Sequence, residues 1–183
     1  MHAKHLIVFV IAVISSARAD TTDVSKVSTH ETVGFGIARS PNKTAEWTSQ
    51  PTIVICKNAP TSTGAVESAV SWWRLLGYRF WMTVPSSIHY GCLFGEPDGN
   101  ILIRLIDNRG VDPNNLATTY LYYNKDSGEI LWAEILLRGE PRERVLEHEL
   151  GHALGWRHYS RRSHIMHPVW INSGWDSSGL RNY

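Results

Sequence analysis

The sequence has little net charge and no strong compositional bias. Its 183 residues carry 18 lysines and arginines against 17 aspartates and glutamates, a formal net charge of +1, and no basic block stands out. Nucleic-acid binding, which needs a basic patch, is therefore not expected. Internal repeats and low-complexity tracts are missing, and hydrophobic residues make up 43% of the chain. This composition excludes a disordered or repeat protein and favours one globular domain.

A hydrophobic run long enough to span a membrane is also missing. The apolar stretch near the start, Leu6–Ile14, is shorter than the roughly 20 residues that a membrane helix needs. Lys4 precedes it and the small-x-small sequence Ala17–Ala19 follows it, which is the layout of a cleavable signal peptide over residues 1–19. A buried N-terminal strand or an uncleaved anchor is the alternative. We expect a secreted or periplasmic chain that starts near Asp20 and keeps no stable membrane anchor.

Cysteine is scarce, and the two cysteines are Cys56 and Cys92. In an oxidising compartment such a pair can form one disulfide. Closing a loop of this size would stabilise the fold by roughly 3–4 kcal/mol through the entropy of the unfolded chain. The bond requires the two Cα atoms to lie within about 7 Å of each other.

The pattern of apolar residues predicts a series of strands and two helices after a polar start. Residues 20–46 are rich in Thr, Ser, Lys and Glu and are predicted to be flexible or laid on the surface. The elements that follow are assigned from period-2 and helical spacing. They are a strand at Thr52–Cys56, a helix over 61–77 ending at Gly77, strands over 78–84 and 100–108, a hairpin over 116–139 that turns at 125–128, and a helix from Pro141. This order indicates an α+β fold with helices packed on a mixed sheet.

The segment EHELGHALGWRH, residues 147–158, holds three histidines and two glutamates. His148 and His152 are four residues apart on the predicted helix, so their side chains project from one face and can bind one Zn²⁺. Glu149 lies one step round the helix, near the ion but poorly placed to ligate it, which is the position of a general base. A catalytic zinc site normally has three protein ligands, so one more is needed.

A third histidine follows a glycine at the end of this helix. Gly155 can adopt a positive φ, which lets the chain turn sharply and bring His158 back to the ion. The whole pattern resembles the extended motif of the metzincin clan of zinc endopeptidases, here written His148-Glu149-x-x-His152-x-x-Gly155-x-x-His158.

A methionine downstream strengthens the resemblance. Met166 lies eight residues after the third histidine, with Pro168 behind it, and the string IMHP is similar to the Met-turn of the matrixin (matrix metalloproteinase-like) branch. There the methionine forms an apolar floor under the histidines and binds no metal. Weaker similarity extends from Trp47 to Trp170. The resemblance implies a zincin-like metzincin catalytic domain over residues 47–183, with a twisted mixed sheet, an active-site helix, a backing helix and a reduced C-terminal part.

The resemblance also implies an activity, that of a secreted zinc-dependent endopeptidase. One catalytic Zn²⁺ would be held by His148, His152 and His158, and Glu149 would activate a zinc-bound water to hydrolyse a peptide bond in a polypeptide substrate. The alternative is a catalytically silent zinc-binding interaction module on the same scaffold, which would have no need of a base. Structural Ca²⁺ is not evident, because the isolated acids suit turns better: Asp107, Asp112 and Asp126.

Two features of the resemblance concern substrate binding. The strand before the zinc helix, Trp132–Leu137, would be the sheet edge that receives the peptide, with Ala133 and Ile135 as substrate-binding residues. Trp170, two residues after the proline, would form a wall of a specificity pocket for an apolar side chain, or else fill a gap in the core.

Cys92 has a second interpretation under the same resemblance. Latent matrixins carry a propeptide cysteine that blocks the zinc, and the sequence around Cys92, GCLFGEPDG, is superficially similar to that signal. Because Cys92 lies inside the expected catalytic domain, we favour the disulfide with Cys56. His164 and His167 flank the methionine outside the ligand positions, and the tail behind them is too short and too rich in glycine for a long helix.

Overall fold

A computed structural model describes residues 24–28, 40–81, 83–86, 92–93, 98–106 and 114–182. Within these residues the chain forms a six-stranded mixed sheet and two α-helices that share one hydrophobic core. The α+β class predicted from the sequence is therefore confirmed. In chain order the elements are β1 (Val24–Ser28), β2 (Thr52–Cys56), α1 (Thr63–Leu75), β3 (Thr83–Ser86), β4 (Asn100–Leu105), β5 (Ala117–Asn124), β6 (Ile130–Leu137), α2 (Val145–Ala153) and a 3₁₀ turn (Trp170–Asn172).

The sheet has the strand order β3-β2-β4-β6-β5-β1. Neighbours from β3 to β6 run parallel, whereas β5 is antiparallel to β6 and β1 is antiparallel to β5. Alternate residues of the parallel strands join the same core cluster as the helices, among them Ile53, Ile101 and Ile135. Because these strands are covered by the helices, their apolar residues anchor the layer on which α2 rests.

The strand predicted to be the sheet edge lies in the interior instead. β6 is paired on one side with β4 and on the other with β5, so Trp132–Leu137 has no free edge for a substrate. Ala133 and Ile135 are both 0% exposed and belong to the core, which makes their predicted substrate contact wrong. The unbroken apolar run of β6 is typical of a central strand. Its neighbour β5 is nearer the rim, and β1 pairs with only its second part, Tyr120–Asn124.

The two helices follow the apolar spacing of the sequence, but α2 begins later than predicted. Helix α1 is capped by Ser62, whose Oγ accepts a hydrogen bond of 3.1 Å from the amide of Ala65. Helix α2 begins at Val145 rather than at Pro141, because Arg144 takes a left-handed conformation with φ of 70° that breaks helical continuity. The second predicted strand, 78–84, is also displaced, and the strand lies at Thr83–Ser86.

Parts of the polar segment 20–46 belong to the fold. Besides β1, residues 40–46 pack on the core: Ala45 is 4% exposed, and Lys43 forms a β-bridge with Trp156. The packed domain thus begins before Trp47. The predicted signal peptide lies outside the described residues, as do Asp107 and Asp112. None of the helices in the described part of the chain has the length and hydropathy of a membrane span.

The disulfide predicted from the cysteine count is confirmed. Cys56, at the end of β2, is bonded to Cys92, and their Cα atoms are 5.7 Å apart. The alternative of a zinc-blocking thiol at Cys92 is therefore wrong for this structure.

Removal of this disulfide should weaken the fold. The bond closes a loop between residues 36 positions apart, so the double variant C56A/C92A should lose roughly 3–4 kcal/mol of unfolding free energy. Urea unfolding of the variant measures the loss, and the wild type in the presence of a reductant serves as the control. Equal midpoints for the reduced and oxidised wild type would contradict the expectation.

Candidate metal centre

Helix α2 carries the first two histidines and is held in place by its apolar face. Val145, Leu146 and Leu150 are buried in the core. Helix α1 packs beside it, and the indole Nε1 of Trp73 donates a hydrogen bond of 2.8 Å to the carbonyl of Glu147. This contact fixes α2 at the residue directly before His148, so the direction of the histidine side chains follows from the packing of the helix.

The chain leaves α2 through the glycine that the motif predicts. Gly155 has a φ of 95°, in the left-handed region, and its amide donates to the carbonyl of His152 at 2.8 Å. A second reason for glycine is steric, because a Cβ atom there would lie 2.0 Å from the carbonyl oxygen of Ala45. The amide of Thr44 also donates to the Gly155 carbonyl at 2.8 Å. The N-terminal segment thus packs directly against the turn that returns His158 to the site.

The three predicted ligands come together. The Nε2 atom of His152 lies 3.0 Å from that of His148 and 3.1 Å from that of His158. The Nδ1 atoms of His148 and His152 donate to the backbone carbonyls of Ile165 and Trp156, each at 2.7 Å. A carbonyl only accepts, so in each neutral ring the proton is on Nδ1 and Nε2 presents a lone pair.

This donor set fits a metal ion. Lone pairs on neighbouring Nε2 atoms repel each other unless a cation lies between them. Nitrogens bound tetrahedrally to one Zn²⁺ at about 2.0–2.1 Å are about 3.3 Å apart, which is close to the observed spacing. Among the described residues, this histidine group is the one cluster of histidine, cysteine or acidic side chains arranged to hold a metal ion, and its members are His148, His152 and His158.

Glu149 lies beside this group in a buried position. Glu149 is 4% exposed, and its Oε2 atom accepts a hydrogen bond of 2.6 Å from the hydroxyl of Thr119 on β5. Burial raises the pKa of Glu149 to about 7, and the Thr119 hydrogen bond opposes that rise. The carboxyl group is therefore both oriented and poised to exchange a proton near neutral pH.

Met166 lies directly behind α2, where the motif predicts an apolar floor. It is 0% exposed, and its sulfur approaches Gly151 so closely that a Cβ atom there would lie 2.4 Å from Sδ. The same turn supplies the Ile165 carbonyl that accepts the hydrogen bond from His148. Gly151, between the two helical ligands, thus lets the turn approach the helix.

The tail holds the turn from the other side. The amide of Ile165 donates to the carbonyl of Asp176 at 2.8 Å, and His164 Nδ1 accepts from the Met166 amide at 3.1 Å. Burial lowers the pKa of His164, which favours the neutral ring that this hydrogen bond needs. As the sequence predicts, the described tail contains no long helix, and the 3₁₀ turn Trp170–Asn172 is followed by irregular chain. Direct hydrogen bonds from the tail replace helical packing.

An open cleft of about 260 Å³ lies next to the metal centre. His148 and Glu149 line it on the side of the histidine group, and Trp170 is also among its lining residues. The other lining residues come from the start of β5, the start of α2 and the segment after the Met-turn: Asn114, Asn115, Leu116, Ala117, Arg144, Val145, His167, Pro168, Val169 and Ser173.

Three residues that shape the site could not be identified from the histidine motif. Thr119 lies 30 residues before Glu149 in the chain and touches it only because β5 borders α2. Gly151 occupies an unspecified position of the motif, and its role appears only with the packing of Met166. Arg144 precedes the helix in a conformation that arginine rarely adopts.

The chain matches no protein-family model, no curated protein and no solved structure, so its function is inferred from the site itself.

The contact between Gly151 and Met166 gives a direct test of the site's packing. G151A would force the added methyl group against Met166 Sδ and the Trp73 ring, at 2.4 and 2.8 Å. We expect a loss of about 1–3 kcal/mol in unfolding free energy and weaker binding of any metal ion held by the histidines, because the displaced turn carries the carbonyl that orients His148.

A matched control is available on the other helix. G64A also adds a methyl group to a helical glycine, but its nearest neighbour would be Ser62 Oγ at 4.0 Å. Its unfolding free energy should stay level or rise, since alanine is the better helix former. Urea unfolding compares the two, and equal stability of both variants would contradict the packing described.

Proposed function

We propose that the protein is an exported zinc-dependent endopeptidase of the metzincin type, with the matrixin branch as its nearest resemblance. The observation that carries the proposal is the meeting of three imidazole Nε2 atoms beside the buried carboxyl group of Glu149, next to an open cleft. A structural zinc site normally closes its fourth position with another protein ligand, whereas three ligands beside a cleft are typical of a catalytic site.

The chain's own residues account for the proton transfers of peptide hydrolysis. Glu149, oriented by Thr119, accepts a proton from the attacking water and then delivers it to the nitrogen of the leaving amine. His148, His152 and His158 would hold the zinc ion, which would supply Lewis acidity to the carbonyl under attack. The burial of Glu149 excludes bulk water from the carboxyl group and strengthens its interactions with the reacting atoms.

The sheet and the Met-turn segment offer surfaces for an extended peptide. Ala117, the first residue of β5, lines the cleft together with Pro168–Trp170 from the segment after Met166. A polypeptide bound in the cleft would contact both segments.

Metal binding is tested by removing the ligand that lies outside the helix. H158Q should lower the affinity for Zn²⁺ more than about 100-fold, because it removes a side chain that binds the ion directly. Loss of a residue that only hydrogen-bonds to a ligand already lowers metal affinity by about 10–100-fold. H167Q is the matched control, since His167 is a histidine close to Met166 that does not belong to the ligand cluster. Competition with a chelating dye measures both, and equal affinities would contradict the assignment.

The role of Glu149 is tested by separating metal binding from catalysis. E149Q should keep its zinc and lose peptide cleavage by about 10²–10⁴-fold in kcat, the usual effect of removing a general base. E147Q changes the neighbouring glutamate on the same helix and should leave kcat unaltered. Cleavage of an unstructured protein, with and without a chelator, provides the assay.

The same assay separates the enzyme from the alternative function. A zinc-loaded wild type that cuts no polypeptide would favour the silent interaction module. The buried Glu149 argues against the module, because a binding module gains nothing from a desolvated carboxyl group beside the metal.

A further inference from the structure

We propose that the cleft beside Glu149 selects a substrate with an acidic side chain directly after the cleaved bond, and that Arg144 recognises this side chain. The inference rests on the proposed peptidase function and names its substrate class. Arg144 lines the cleft together with Glu149 and Trp170.

The position after the cleaved bond follows from the proton transfers. Glu149 delivers a proton to the leaving amine, so the residue that carries this amine lies on the Glu149 side of the reacting carbonyl. The cleft lies on that side, because Glu149 lines it whereas His152 and His158 do not. The side chain of the residue after the bond is therefore the one that enters the cleft.

The charge of the cleft favours an anion. Among the described residues that line it, Arg144 is the one arginine or lysine and Glu149 is the one carboxylate. Glu149 accepts a hydrogen bond from Thr119 and is the general base of the proposed reaction, so it is not counted as part of the side-chain pocket. The other lining groups of the described chain are amides, histidines, a serine and apolar side chains, and none of these carries a negative charge that would compete with an incoming carboxylate.

Arg144 is held in place by neutral groups. Its Nη1 atom donates to the carbonyl of Ser173 at 2.9 Å, and its guanidinium centre lies 5.4 Å from the centre of the Trp170 ring. Its buried Nε atom has no acceptor within the described part of the chain. A carbonyl and an indole ring orient the cation without neutralising it, which leaves its charge for a ligand.

The two glutamates nearest to Arg144 in the sequence do not neutralise its charge. Glu143 contributes its backbone carbonyl, which accepts a hydrogen bond from Trp170 Nε1 at 3.0 Å. Among the ion pairs of the described residues, none within 4.0 Å joins Arg144 to Glu143 or Glu147, so neither glutamate neutralises the guanidinium.

The shape of the cleft favours glutamate over aspartate. Trp170, Val145 and Leu116 give apolar walls that suit the methylene groups of a longer side chain. The apolar pocket expected from Trp170 is therefore completed by a cation, and the preferred side chain has an apolar stem and an acidic end.

The test compares three peptides that differ only in the residue after the cleaved bond: glutamate, glutamine or leucine. For the wild-type holoenzyme, kcat/KM should be about tenfold higher for the glutamate peptide than for its glutamine isostere, the size expected for one charge-assisted hydrogen bond. The ratio should fall as salt is added, because salt screens the attraction to Arg144.

Two variants assign the preference to one residue. R144Q should bring the glutamate-to-glutamine ratio to within about twofold of unity, since it removes the charge but keeps a polar side chain. R142Q is the matched control: Arg142 also lies 5.4 Å from the Trp170 ring but does not line the cleft, so the ratio should stay near the wild-type value. Circular dichroism and bound zinc confirm that each variant is folded.

The outcomes separate this inference from the function on which it rests. If the wild type cuts none of the peptides and no unstructured protein, the peptidase function and the acidic preference both fail. If it cuts the glutamate and glutamine peptides equally well, the acidic preference is wrong and the peptidase function stands. The wild-type comparison decides this even if R144Q does not fold.

Discussion

The Nδ1 atoms of His148 and His152 each donate a hydrogen bond of 2.7 Å to a backbone carbonyl, one from Ile165 and one from Trp156. These bonds fix the tautomer of both rings and direct both Nε2 lone pairs toward the same point. Neither carbonyl belongs to the helix that carries the histidines. The geometry of the histidine group therefore depends on two loops after α2 that are held in place against it, and much of the remaining structure serves that requirement.

The two loops are held by segments from opposite ends of the chain. Residues 40–46 pack against the turn at Gly155, with hydrogen bonds from Thr44 to Gly155 and from Arg157 to Asn42. The Met-turn is held by the tail, through the hydrogen bond between Ile165 and Asp176. The tail is anchored in turn by Leu180, which is 0% exposed, and by the hydrogen bond from the Asn182 amide to the Leu76 carbonyl. A short irregular tail thus positions the turn through hydrogen bonds and one buried leucine, without a helix.

Local features of the site were predictable from the sequence, and features set by distant packing were not. The spacing of His148 and His152 and the conformation of Gly155 follow from helix geometry over a few residues, so the motif alone predicts them. The place of β6 in the sheet depends on which strands pair on each side, and a resemblance that assigned it to the edge was wrong although its apolar run is typical of a central strand. The contact of Thr119 with Glu149 joins two elements whose separation in sequence carries no periodic signal.

The arrangement of the histidines would link metal binding to stability. Their Nε2 atoms lie 3.0 and 3.1 Å apart, and the rings of His148 and His152 are held by hydrogen bonds to backbone carbonyls. A cation would therefore meet ligands that the fold has already brought together and that the unfolded chain leaves apart, so binding would favour the folded state. Arg144 is a point of local strain at the start of the same helix, because its φ of 70° is unfavourable for a residue with a side chain. Arg144 lines the cleft, and the core beneath α2 allows the fold to keep this strained conformation there.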